Sequence, residues 1–158
     1  MILNVNVLDL WAFHMVEGVP RYLILRASEK KAEEWFNGAA LWQVPGALLP
    51  DGVEMTTVDV LHGCLENFGL WAKALWTVEQ TYTKFNRHRD RLETVPVFAA
   101  FVDPPESIPL TWHHDEYRWV TAEEARELLR MPGLLQGLEW VREAVTEVGE
   151  QRPELRML

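Results

Sequence analysis

Asp59, His62 and Glu66 are three side chains able to bind a metal or move a proton, and they recur at helical spacing in mid-chain. Intervals of three, four and seven residues place all three on one face of a helix. His62 and Glu66, one turn apart, could share a cation, with Asp59 a turn earlier and Glu54 just upstream. An imidazole in that set favours manganese, zinc or another transition metal over magnesium. The alternative is a solvated helix face with an ordinary charge pair. A second group, His113-His114-Asp115-Glu116, is the densest run of titratable side chains. A histidine there can act as a general base near neutral pH; otherwise the run is a polar loop entering a strand. Lys84, Arg87, His88, Arg89 and Arg91 form a basic patch in an acidic chain. Its arginines suit bidentate capture of substrate phosphates, or simply a solvated connection paired with Asp90 and Glu93. Trp42 is placed either to stack on a base or to pack under a turn. Cys64 reads as a small buried hydrophobe.

These groups need elements to hold them. Asn4 to His14 and Arg21 to Arg26 are strand-like, and Glu17-Gly18-Val19-Pro20 between them has the chemistry of a hairpin turn. Ser28 to Asn37 is a loop or a short helical turn. Val44 to Asp51 is irregular. From Glu54 to Phe68, Val58, Leu61, Leu65 and Phe68 recur at helical spacing, and Gly69 is a natural stop. Leu70 to Phe85 reads as one long strand or two, and Asn86 to Glu93 as a loop. Thr94 to Val102, continuously apolar, is a central buried strand. Asp103 to Pro109 is a turn and Glu116 to Val120 a short strand. Thr121 with Glu124 predicts a capping box opening a helix. Met131-Pro132-Gly133 breaks it, and Leu134 to Val148 forms the next one.

Composition narrows the function. With 158 residues, 48% hydrophobic and 25% charged, the chain reads as one globular domain over 1–149 with a mobile tail at 150–158. A net charge of −9 argues against a broad nucleic-acid surface, but not against a small anionic substrate. A single cysteine leaves no intramolecular disulfide framework. The N-terminal segment lacks the features of a signal peptide and no apolar run is long enough for a membrane helix, so a cytoplasmic location is expected. Eight tryptophans suit a core or a homodimer interface, with one or two available to stack on a base.

The segment Trp42 to Leu70, with its Trp-x-x-Pro-Gly turn, Pro-Asp-Gly loop and helix ending at Phe68-Gly69-Leu70, resembles the Nudix box, G-x5-E-x7-R-E-U-x-E-E-x-G-U. VPVFAAFV at 95–102 and EYRWVTAEEARELL at 116–129 are similar to later segments of Nudix pyrophosphohydrolases acting on dATP or dihydroneopterin triphosphate. The resemblance covers nearly the whole chain and implies an α/β (α+β) fold, an α/β/α sandwich around a mixed sheet. It also implies cleavage of a diphosphate linkage by water with magnesium or manganese, on a nucleotide or pterin triphosphate. Here the box is degenerate. Aligned from Gly69, the family's Arg-Glu falls on His62-Gly63 and its Glu-Glu on Glu66-Asn67, while the upstream Glu falls near Val53 or Glu54. Glu66 alone survives of the helical carboxylates, which should weaken cation binding severely. The resemblance gives His113 the place of a family Glu that aids metal binding or activates water, with Glu116 beside it. Arg26 matches an arginine common at the end of the second strand, and Arg87 or Arg89 would hold phosphates. Two functions follow: a divergent hydrolase using Glu66, His113 and Glu116, or a silent domain binding a nucleotide or a protein.

Overall fold

A computed structural model describes residues 6–49, 52 and 54–158. The first residues of the strand expected from Asn4, the Pro50-Asp51 part of the loop and Val53 lie outside the described residues.

The chain forms β1 (Val7–Val16), β2 (Val19–Ala27), α1 (Glu29–Phe36), β3 (Trp42–Gln43) and β4 (Gly46–Leu48). Then come α2 (Thr57–Glu66), β5 (Ala72–Asn86), β6 (Arg91–Val102), β7 (His114–Val120), α3 (Ala122–Leu128) and α4 (Pro132–Val141). A π-helical turn at Arg142–Thr146 extends α4, and a short 3-10 turn spans Pro153–Leu155. The β1–β2 hairpin turns at Glu17 and Gly18, both at positive φ (50° and 78°), as a two-residue turn matched to strand twist requires. β1 then runs parallel to β6, pairing Asp9 with Val97 and Phe13 with Phe101. The sheet order is β3-β2-β1-β6-β5, with β4 paired to β1 and β7 to β2. This mixed sheet, covered by helices on both faces, is the α/β architecture expected.

Strand alternation sorts the core into two layers. Leu8, Leu10 and Ala12 of β1 pack with Val60, Leu61, Cys64 and Leu65 of α2 on one face. Trp11 and Phe13 pack with Val97, Leu134, Leu138 and Val141 on the other, under α4. Asp9 shares the parity of Trp11 and Phe13, so it faces the α4 side. Caps fix the helix starts. Ser28, Thr56 and Thr121 side chains accept from the backbone N–H of Lys31, Asp59 and Glu124, and Thr121–Glu124 form the capping box expected.

The stretch 28–37 left open between loop and helix is α1, closed by Asn37 in the left-handed region. β5 is one strand, bent by a bulge between Thr77 and Thr81 where Glu79 takes φ 55°. α4 starts at Pro132, because proline suits the first helical position. The final segment, expected to be a mobile tail, packs against β5: Leu155 is buried, and Met157 N–H donates to the Leu75 carbonyl at 2.8 Å. The alternating apolar residues of this segment, Leu155 and Met157, supply the reason.

Candidate functional site

Helix α2 carries most of the expected metal ligands. Val60, Leu61, Cys64 and Leu65 bury one face, leaving Asp59 and Glu66 exposed and His62 half-buried. His62 lies against Trp71, ring centroids 5.7 Å apart. Glu54, upstream of the helix, is also exposed. Nothing lies within 4 Å of the Cβ position that Gly63 lacks. Asp59 and Glu66 are separated by roughly 10 Å along the helix axis at 1.5 Å per residue, too far to ligate one ion. Among the described residues no group of three or more His, Cys, Asp or Glu converges to hold a metal. The residues present therefore do not fit the hard-cation site that the fold family implies, which needs several oxygen ligands. Cys64 is buried on this helix with its Sγ 3.4 Å from the Gly46 carbonyl, and burial pushes its thiol up to about 12, out of nucleophilic range.

A second group of expected residues does meet, at the β2–β3–β7 edge. Arg26 pairs with Asp115 at 2.9 Å and with Glu116 at 3.7 Å, and Arg118 with Glu116 at 2.7 Å. Both guanidiniums lie over Trp42, at 6.0 Å for Arg26 and 5.0 Å for Arg118. Trp42 is 8% exposed and belongs to the core under α4, so packing under the turn describes it better than base stacking. Glu116 is bound up in this ion network. His113 is exposed, stacked on Trp112 at 3.9 Å, with its Nδ1 2.9 Å from the Thr111 hydroxyl. Arg87 and Arg89 sit elsewhere, at the β5–β6 hairpin tip against α1. Arg87 donates to Asn37 Oδ1 at 3.2 Å, His88 stacks on Trp35 at 4.3 Å, and Arg89 lies over Trp35 at 5.4 Å. That tip docks a helix.

The features of a binding site gather instead in a cavity of about 520 Å³ on the α4 side of the sheet, lined in part by Asp9, Gln43, Tyr82, Lys84, Gly133 and Gln136. Its size falls in the range of small-molecule sites. At its wall the Tyr82 hydroxyl donates to Asp9 Oδ2 at 2.5 Å. Desolvation outweighs that bond and the attraction of Lys84, raising the Asp9 carboxyl from 3.8 to about 6. The same burial, reinforced by Asp9, raises the Tyr82 phenol, which keeps its proton. Gly133 in the first turn of α4 fits because it has no Cβ: one there would stand 2.1 Å from the Tyr82 ring.

Positive charge stands at the same place. Lys31 on α1 is pushed down to about 8, by burial first and then by repulsion from Lys84. His114, whose Nε2 is 3.4 Å from Gln43 Oε1, is held down at about 3 by burial, with Lys31 and His113 adding to the effect. His113 is lowered by burial and Lys31 as well. Among the described residues no carboxylate ion-pairs with Lys31 or Lys84. Two perturbed titratable groups, Asp9 and Tyr82, line one cavity together with Lys84, a mark of a functional site. Of its lining residues the sequence had singled out Lys84, and His114 stands one contact away, against Gln43. Asp9 left a signal, a lone carboxylate inside the apolar run Val7-Leu8-Asp9-Leu10-Trp11; Tyr82, Gln43 and Gly133 left none, because tertiary packing alone unites them.

No protein-family profile and no curated protein matches the chain. Solved structures do. The NUDIX domain of Shewanella oneidensis NrtR, complexed with ADP ribose, superposes with a TM-score of 0.68 at 13% identity, covering 92% of this chain and 91% of that one. The fold is the Nudix fold. A Nudix hydrolase from M. smegmatis, RenU, matches at TM-score 0.65 and 15% identity, over 94% and 90% of the two chains. The E. coli dihydroneopterin triphosphate pyrophosphohydrolase matches at 0.62 and 17%, over 87% and 94%. At such identities the likeness carries the Nudix architecture and leaves activity to the side chains. Among the described residues no helix is long and apolar enough to cross a membrane.

Proposed function

We propose that this chain is a Nudix-fold domain that binds a phosphorylated, nucleotide-like small molecule in the cavity between the sheet and α4. The observation that carries this reading is the pairing, in one cavity, of the Asp9–Tyr82 wall with Lys84 and the neighbouring Lys31, cations that form no salt bridge among the described residues. A polar wall suits a hydrogen-bonding ring, and two ammonium groups forced together suit a phosphate that would relieve their repulsion. The ADP ribose complex of the NrtR Nudix domain supports the ligand class by analogy of fold. Calorimetric titration with ADP ribose and with nucleoside di- and triphosphates tests it. Wild type is expected to bind at least one, and Lys84→Ala to weaken it about tenfold or more, the worth of a charge-assisted contact. No binding by wild type, or unchanged affinity in Lys84→Ala, would overturn it.

Hydrolysis is the second reading, favoured by the exposed Glu66 carboxylate at the end of α2. In it Glu66, with His62 one turn away, would hold a magnesium or manganese ion only with further oxygen ligands from the substrate, and His113 or Glu116 would assist water. Release of phosphate or pyrophosphate with either metal, abolished by Glu66→Gln, would support it. A homodimer belongs to the same proposal. It is supported by Phe85 (60% exposed) and Leu92 (71%), cross-strand partners on the β5–β6 hairpin, and sedimentation equilibrium decides it.

A further inference from the structure

We propose that a second cavity, on the sheet face opposite α4, binds a free amino acid with a flat apolar side chain, its carboxylate on Arg21 and its ammonium on Glu106. The cavity is about 320 Å³, at the small end of ligand sites. His14 on β1 and Arg21 on β2 line it, and by strand alternation they share the faces of Ala12 and Leu23, which pack with α2. Tyr117 and Trp119 of β7 pack against that same layer. The segment after β6 contributes Pro104, Pro105 and Glu106.

Arg21 and Glu106 are opposite charges lining one small pocket, yet they do not pair. Among the described residues Glu106 forms no salt bridge, and Arg21 reaches only Glu124, at 3.6 Å. The Arg21 Nε–H is also shut away from solvent with no acceptor among the described residues. A donor left bare in this way costs free energy that an added acceptor recovers. His14 adds no positive charge of its own. Burial first, and repulsion from Arg21 second, hold its imidazole below the usual 6.5, so it is neutral at pH 7. Its ring lies edge-on to Trp119, centroids 4.7 Å apart, and steadies the indole.

A free amino acid carries both countercharges on one carbon, so it bridges two groups that do not meet each other. A chain terminus carries only one of them. The half-buried Tyr117 and Trp119 rings and the two prolines offer apolar walls to a flat side chain. Pro104 and Pro105 also stiffen the segment that presents Glu106, which reduces the entropy lost on binding. This site is independent of the cavity on the α4 side.

The test is an NMR titration of the labelled protein with L-phenylalanine, 3-phenylpropionate (no ammonium), 2-phenylethylamine (no carboxylate) and glycine (no side chain), near neutral pH. L-phenylalanine is expected to bind with a Kd of about 1 mM or tighter, shifting the Trp119 indole N–H and the His14 ring. Each of the other three should bind about tenfold or more weakly, the worth of one charge-assisted contact or of the ring. Arg21→Gln should bind L-phenylalanine no better than 2-phenylethylamine, and Glu106→Gln no better than 3-phenylpropionate. Glu106 is an exposed loop residue, so its variant keeps the fold and the test stays decisive. Absence of L-phenylalanine binding, equal affinity for the one-charge analogues, shifts confined to the α4 side, or an unchanged preference in Glu106→Gln would each overturn the proposal and leave the nucleotide reading intact.

Discussion

Asp9 is placed where its chemistry costs stability. A carboxyl whose pKa rises from 3.8 unfolded to about 6 folded holds its proton more tightly in the folded state. Its contribution is therefore most favourable below the unfolded value and declines as pH rises from about 4 through about 6. At neutral pH the ionised, desolvated group carries a penalty on the order of 3 kcal/mol. His114 works in the opposite sense. Folded at about 3 against 6.5 unfolded, it removes stability as pH falls below the unfolded value. The two slopes oppose each other, so the informative quantity is the difference between variant and wild type. Asp9→Asn, which keeps an acceptor for Tyr82, should be more stable than wild type near neutral pH by about 1–2 kcal/mol, with the gain disappearing near pH 4. Urea unfolding at both pH values measures it; a destabilised variant at neutral pH would mean that Asp9 is not desolvated. A functional group held against stability is common in binding sites.

At the scale of elements, the fit of α4 against β5 shapes the cavity. Gly133 lets the first turn of α4 close on the Tyr82 ring, and Pro132 fixes where that turn begins. Gly133→Ala should force the ring and its hydroxyl away from Asp9. The expected result is a loss of about 1–3 kcal/mol from overpacking, offset in part by better helix propensity, together with weakened nucleotide binding. Unfolding and binding curves for this variant check both, and wild-type binding would separate Tyr82 from the site. Elements whose signal is local were legible in the sequence: the Glu17-Gly18 hairpin, the Thr121–Glu124 capping box, the apolar β6 and the periodic face of α2. Register and depth were not. Trp42 carries the same sequence signal whether it stacks on a ligand or, as here, lies under Arg26 and Arg118. Arg87 and Arg89, candidates for a phosphate clamp in the sequence, stand at the hairpin tip against Asn37 and Trp35, a placement no local pattern encodes. The cavity itself joins β1, β3, β5 and α4, from residue 9 to residue 136, and no local pattern encodes such a meeting.

At the scale of the molecule, the Nudix scaffold has α2 on one face of the sheet and the cavity on the other. Helix α2 packs on the sheet through Leu61 and Leu65, while Asp9 and Tyr82, both perturbed, line the cavity on the α4 side. Net charge of −9 opposes anionic ligands at long range, so capture depends on the local field of Lys31 and Lys84 and should weaken as salt screens it. The central claim is that a nucleotide-like ligand enters the cavity on the α4 side. Its most direct test is a backbone amide NMR titration of the labelled protein with a nucleoside triphosphate in EDTA. The shifts are predicted to cluster at Asp9, Gln43, Tyr82 to Lys84 and Gly133 to Gln136. Shifts confined to the α2 face, His62 to Glu66, would contradict the account.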